Sequence, residues 1–125
     1  MTIPKIILEQ LGGRKFIVCT GCKNFLADGD NKLIMTIPRN ASKANRLEVT
    51  YNYGMDDYTM RFYRHTSERF MQKRLLEGKD PWIPAKDKDI KIFNGVYCDQ
   101  LRELFAEVTG MAISMSITIN GVTFG

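Results

Sequence analysis

Cys19-Thr20-Gly21-Cys22 is the one formal motif in the chain, a C-x-x-C with the thiol spacing that redox and zinc sites use. In thioredoxin-like enzymes such a pair opens a helix, whose dipole lowers the first thiol's pKa. Here no helical pattern follows Cys22 and no βαβ unit surrounds it. A tetrahedral zinc site would have to recruit Cys98 and His65, which lack any paired spacing. The cysteines therefore read as small apolar side chains at a strand end. His65, the only histidine, has no spacing that orients it as a base toward a nucleophile. Leu11-Gly12-Gly13-Arg14-Lys15 lacks the spacing of a phosphate-binding P-loop. Asp28-Gly29-Asp30-Asn31 and Asp56-Asp57 lack the ligand spacing of a calcium loop and suit turns. These residues give no basis for catalysis, a metal site or another cofactor.

The basic residues are more informative. Residues 39–46 hold Arg39, Lys43 and Arg46 with no acid, and residues 61–74 hold Arg61, Arg64, Arg69, Lys73 and Arg74 against Glu68 alone. These two stretches exceed the net charge of the whole chain, +4, so the remainder is net acidic. Tyr63 falls on the outward face of its strand beside Arg61. Guanidinium groups beside aromatic rings suit single-stranded nucleic acid, charge for the phosphates and flat faces for the bases. Arg39, Lys43, Arg46, Arg61, Arg64, Arg69 and Arg74 are the expected phosphate contacts and Tyr63 the expected stacking ring. The alternative is a protein-interaction module that modulates an enzyme. Its docking surface would be the basic stretch or the acidic stripe of Asp99, Glu103 and Glu107.

At 125 residues, with 44% apolar and 26% charged side chains, the chain has the composition of one globular domain. No apolar run is long enough to span a bilayer, and Ile6-Ile7-Leu8 is too short for the core of a signal peptide. Three cysteines, an odd number, fit a reducing cytoplasm rather than a disulfide framework.

The elements that must position these residues follow from periodicity. Ile3, Ile7 and Leu11 recur at helical spacing, with Pro4 in the first turn and Gly12-Gly13 as a stop. Lys15 to Cys19 reads as a strand, Ala27 to Asn31 as a turn, and Lys32 to Ile37 as a second strand. Residues 46–53 alternate, with Leu47, Val49, Tyr51 and Tyr53 on one face; Tyr58, Met60 and Phe62 alternate likewise over 58–64. Residues 65–89 fit either a helix from Ser67 to Gly78 or an extended hairpin arm, followed by a charged loop pinned by Trp82. Asn94 is the expected cap of a final amphipathic helix whose stripe is Tyr97, Leu101, Leu104, Phe105 and Val108. Residues 111–119 alternate as a last strand, ended by Asn120-Gly121, and Ile113 to Ile119 is a candidate edge for pairing between copies. The expected class is α+β: an N-terminal helix, an antiparallel sheet of about four strands, a C-terminal helix packed on it, and a short final strand.

Three stretches carry a resemblance. They are Leu11-Gly12-Gly13 with Lys15-Phe16-Ile17 and Thr20-Gly21-Cys22-Lys23-Asn24-Phe25, then Arg39 to Asn45, then Gly95-Val96-Tyr97-Cys98-Asp99-Gln100-Leu101 with Phe105 and Thr109-Gly110. Together they resemble an uncharacterised family of small proteins encoded by bacteriophages, prophages and other mobile elements. The resemblance covers residues 11–110 and implies a bacterial cytoplasmic setting, not a reaction. That pattern has no cysteine at positions 19 and 22, which argues against a cysteine-based activity.

Overall fold

The computed structural model describes residues 2–111, 117–119 and 122–124. Helices α1 (Ile3–Leu11) and α2 (Gly13–Thr20) precede strands β1 (Lys23–Asp28), β2 (Lys32–Thr36), β3 (Arg46–Asn52) and β4 (Asp57–Thr66). An excursion follows, built from β5 (Arg69–Phe70), α3 (Gln72–Leu76) and β6 (Trp82–Ile83). The chain returns through β7 (Lys86–Val96) to α4 (Leu101–Thr109), then β8 (Ile117–Ile119) and β9 (Val122–Phe124). Strands β1-β2-β3-β4-β7 form one antiparallel sheet in that order, a meander with the excursion inserted before its last strand. The class is α+β, with helices at both ends of the sheet sequence.

Alternation puts Leu33, Met35, Leu47, Val49, Met60 and Phe62 on one sheet face, all buried. Ile7, Leu11, Phe16, Leu101 and Phe105 complete the same cluster from the helices. Phe105 sits between the layers, edge-on to Phe16 at 4.9 Å and tilted against Phe62 at 6.3 Å. The other sheet face is half-exposed and polar, as antiparallel sheets covered on one side are.

Helix α2 replaces the strand expected over Lys15 to Cys19. The β-branched and aromatic residues there favour strands only weakly, and tertiary packing overrides that preference. As a helix, Gly13, Phe16 and Thr20 share one buried face, while Val18 and Cys19 face outward. The corner between α1 and α2 needs positive φ at consecutive residues, 132° and 59°, which Gly12 and Gly13 supply. The first strand of the sheet is instead Lys23–Asp28, and its hairpin with β2 turns at the expected Asp-Gly-Asp-Asn.

A short local signal marks both helix ends. Phe16-x-x-x-Thr20-Gly21 and Phe105-x-x-x-Thr109-Gly110 share one chemistry. Each threonine hydroxyl donates to the phenylalanine carbonyl at 2.7 Å and accepts the amide two residues on at 3.2 Å. Each glycine takes the left-handed conformation that closes the helix. The two phenylalanines so placed are the pair that meets in the core.

Two further expectations change. Residues 86–89, read as loop, and Asn94, read as a helix cap, belong to the edge strand β7; β4 recruits it through pairings from Thr66↔Lys86 to Tyr58↔Val96. Alternating Lys and Asp hides a strand from hydrophobic periodicity, and such charges suit an edge open to solvent. The last helix therefore starts at Leu101 rather than after Asn94, and Tyr97 is exposed instead of joining the stripe. Leu104 and Val108 pack partly buried against the core, as the stripe requires. Strand β8 pairs antiparallel with β9. Residues 112–116 of the expected last strand, and the Asn120-Gly121 turn, lie outside the described residues.

Candidate functional site

The connection between β2 and β3, residues 37–45, is a loop held by its own side chains. Asn40 donates from Nδ2 to the carbonyls of Pro38 at 2.9 Å and Ala44 at 2.7 Å, and its Oδ1 accepts the Ser42 amide at 2.9 Å. Ser42 Oγ in turn accepts the Ala44 amide at 3.1 Å. Such local side-chain bonds let a backbone without ladder partners satisfy itself. Lys43 sits at φ 67° within this knot. Two longer contacts root the loop: the Ala41 amide donates to the carbonyl of Thr109, the last residue of α4. Asn45 grips β4 at both ends of its amide, accepting the His65 N–H at 2.7 Å and donating to the His65 carbonyl at 2.8 Å.

The loop and β4 enclose a surface cleft of about 680 Å³, lined by residues 37–41, 43–45 and Arg64. Its charged lining residues are Arg39, Lys43 and Arg64, all exposed, with no acid among them. Arg64 donates from one terminal nitrogen to the Lys43 carbonyl at 2.9 Å, which aims the guanidinium while leaving further N–H donors free. None of the three makes an ion pair among the described residues. The cleft is thus a concentration of uncompensated positive charge on a braced scaffold, suited to phosphate or carboxylate oxygens.

The other expected contacts lie elsewhere. Arg61 belongs to a chain of ion pairs across the polar sheet face, with Glu48 at 3.2 Å and Asp89 at 2.6 Å; Lys32 reaches Glu48 at 3.0 Å. Burial pulls the Arg61 pKa down, but the two carboxylates outweigh it and hold the guanidinium above its ordinary value. That charge is already spent within the fold. Arg46 is half-buried and donates to Thr36 Oγ1. Tyr63 is the clearest correction: it keeps the outward register but is only 6% exposed, and the Arg61 guanidinium lies over its ring, 4.2 Å from the ring centre. Burial, with Glu48 and Asp87 nearby, raises its hydroxyl pKa, and no base can stack on a covered face. Arg69 is exposed on the excursion; Arg74 is half-buried and donates from Nε to the Asp80 carbonyl at 2.9 Å.

The thiols fall differently from the C-x-x-C of an oxidoreductase. Cys19 is exposed in the last turn of α2, and Cys22 is buried beyond its end, so the pair closes a helix rather than opening one. Burial pushes the Cys22 thiol pKa up, away from reactivity. His65 bridges to Asp87 on β7 at 2.6 Å. Among the described residues no three His, Cys, Asp or Glu side chains gather to hold a metal ion. A thiol-reactive chromophore should therefore label Cys19 and Cys98 rapidly in the native protein, with Cys22 reacting only on unfolding. Equal rates for all the thiols would contradict the burial of Cys22.

Asn40 and Asn45 do the shaping that sequence reading assigned to no residue; Asn40-x-Ser42 is a turn signal of the Asx type. No helix among the described residues is long and apolar enough to cross a membrane. No family model, curated protein or solved structure matches the chain.

Proposed function

We propose that the protein binds single-stranded nucleic acid, with backbone phosphates entering the cleft between Arg39, Lys43 and Arg64. The observation that carries this reading is their convergence: three exposed cations from the β2–β3 loop and from β4 share one cleft without an acid. The loop is ordered before any ligand arrives, through Asn40, Asn45 and the Thr109 carbonyl, so binding costs little loop entropy. Phosphate contacts of this kind fix position and carry no base information, so the cleft itself is indifferent to sequence. The resemblance to small proteins of mobile elements fits an accessory role of that kind in a bacterial cell. The cleft offers charge and no catalytic group, so no reaction is assigned to it.

A second reading, a module that docks on a protein, is favoured by Leu75 and Leu76 on the excursion, 52% and 80% exposed.

Fluorescence anisotropy of a labelled oligonucleotide tests the first reading. Each phosphate neutralised on a single strand releases about 0.7 counterions, so three contacts give a slope of log K against log salt of about −2 or steeper. A folded protein that binds neither single nor double strands at low salt would exclude it.

A further inference from the structure

The excursion between β4 and β7 is a braced arm. Arg69 pairs with Ile83 and Phe70 with Trp82, and the Met71 amide donates to the Pro81 carbonyl at 2.8 Å. Asp80 Oδ1 accepts the Trp82 amide at 3.0 Å, while Arg74 holds the Asp80 carbonyl. Pro81 and Pro84 flank Trp82 and stiffen its strand. At its root the arm continues the β4–β7 ribbon, in which Arg64 of the cleft stands opposite Lys88 and Thr66 opposite Lys86.

The arm presents two aromatic rings to solvent. Phe70 and Trp82 are directly opposed, meet edge-to-face at 5.3 Å, and remain 49% and 54% exposed. An edge-to-face contact leaves ring faces uncovered, and rings left half in water on a stiff hairpin mark an interaction site. Charge selects the occupant. Residues 39–46 and 61–91, which carry the cleft, the ribbon and the arm, hold twelve Lys and Arg against five Asp and Glu. Arg69 is adjacent to Phe70, and Lys86 and Lys88 line the ribbon between the rings and the cleft. From Arg64 to Phe70 the ribbon spans at most about 20 Å, at roughly 3.3 Å per residue. At about 3.4 Å per nucleotide along a stacked strand, that reach is about six nucleotides, within the ~4–16 that single-strand binders cover.

We propose that Trp82, with Phe70 beside it, is the base-stacking platform for the same strand whose phosphates occupy the cleft. This rests on the nucleic-acid reading above and names its second contact. The cleft holds the backbone by charge; the arm takes a base by its face. The assignment made from sequence, Tyr63, passes to the rings the fold leaves open.

Trp82 is the only tryptophan, so its emission reports on this site alone. The chain is titrated with a labelled oligothymidylate and with an abasic deoxyribose-phosphate strand of equal length, following anisotropy and tryptophan emission together. Oligothymidylate should quench the emission with the midpoint of the anisotropy curve, and the abasic strand should bind without quenching. Trp82→Ala should weaken oligothymidylate binding about 5- to 150-fold at unchanged salt slope, and Trp82→Phe should recover most of that loss. Oligothymidylate binding with unquenched emission and unaltered Trp82→Ala affinity would overturn this proposal alone and leave the arm to a protein partner. Absence of any oligonucleotide binding would overturn both it and the cleft reading.

Discussion

Phe105→Ala should lower the free energy of unfolding by about 3–5 kcal/mol, measured by far-ultraviolet circular dichroism in a urea series. The side chain is fully buried, and its ring meets both Phe16 of α2 and Phe62 of the sheet. Removing it opens a cavity on two sides at once, and the fold cannot close both by shifting α4 in one direction. The effect should reach the cleft as well. The Thr109 carbonyl that holds Ala41 lies one turn beyond Phe105, and the Thr109 hydroxyl donates to the Phe105 carbonyl. Phe16→Ala should cost a comparable amount. A loss under about 1 kcal/mol for Phe105→Ala would mean that the helix does not pack on the sheet as described.

Much of this architecture is legible in the residues. Period-two alternation located β3 and β4 because each sends alternate side chains into the core. Ile3, Ile7 and Leu11 located α1 by the same logic at helical period. The failures have equally local causes. Lys15 to Cys19 has strand-forming residue types, yet Phe16 and Thr20 are placed for one helical face, and contact with Phe105 decides between them. β7 lacks a buried face along most of its length, so nothing in its Lys–Asp alternation announces a strand; only its pairing with β4 makes one.

The candidate site was legible in part. Arg39, Lys43 and Arg64 were among the expected contacts, but sequence could not separate them from Arg61, whose partners Glu48 and Asp89 come from other strands. Tyr63 has the right register for an exposed ring, but the fold buries it and the neighbouring guanidinium lies over it. Trp82 was expected to pin a loop; in the fold the two-residue strand that carries it pairs outside the main sheet, where no core can receive it.

Replacing Arg39, Lys43 and Arg64 together by Ala should abolish most single-strand affinity at moderate salt. These are surface side chains outside the hydrophobic cluster, and none holds an ion pair among the described residues, so stability should change little. The loss should be electrostatic, through counterion release, and therefore largest at low salt. A charge-matched control removes Lys5, Lys15 and Arg102, which are also exposed but lie on the helices.

The slope of log K against log salt, compared among the wild type, the cleft variant and this control, is the most direct test that the cleft holds phosphates. The wild type and the control should share a slope of about −2 or steeper, and the cleft variant should be flatter by about 2. Equal slopes in the cleft variant and the control would contradict a phosphate site in the cleft, because the attraction would then follow net charge and not the convergence of Arg39, Lys43 and Arg64.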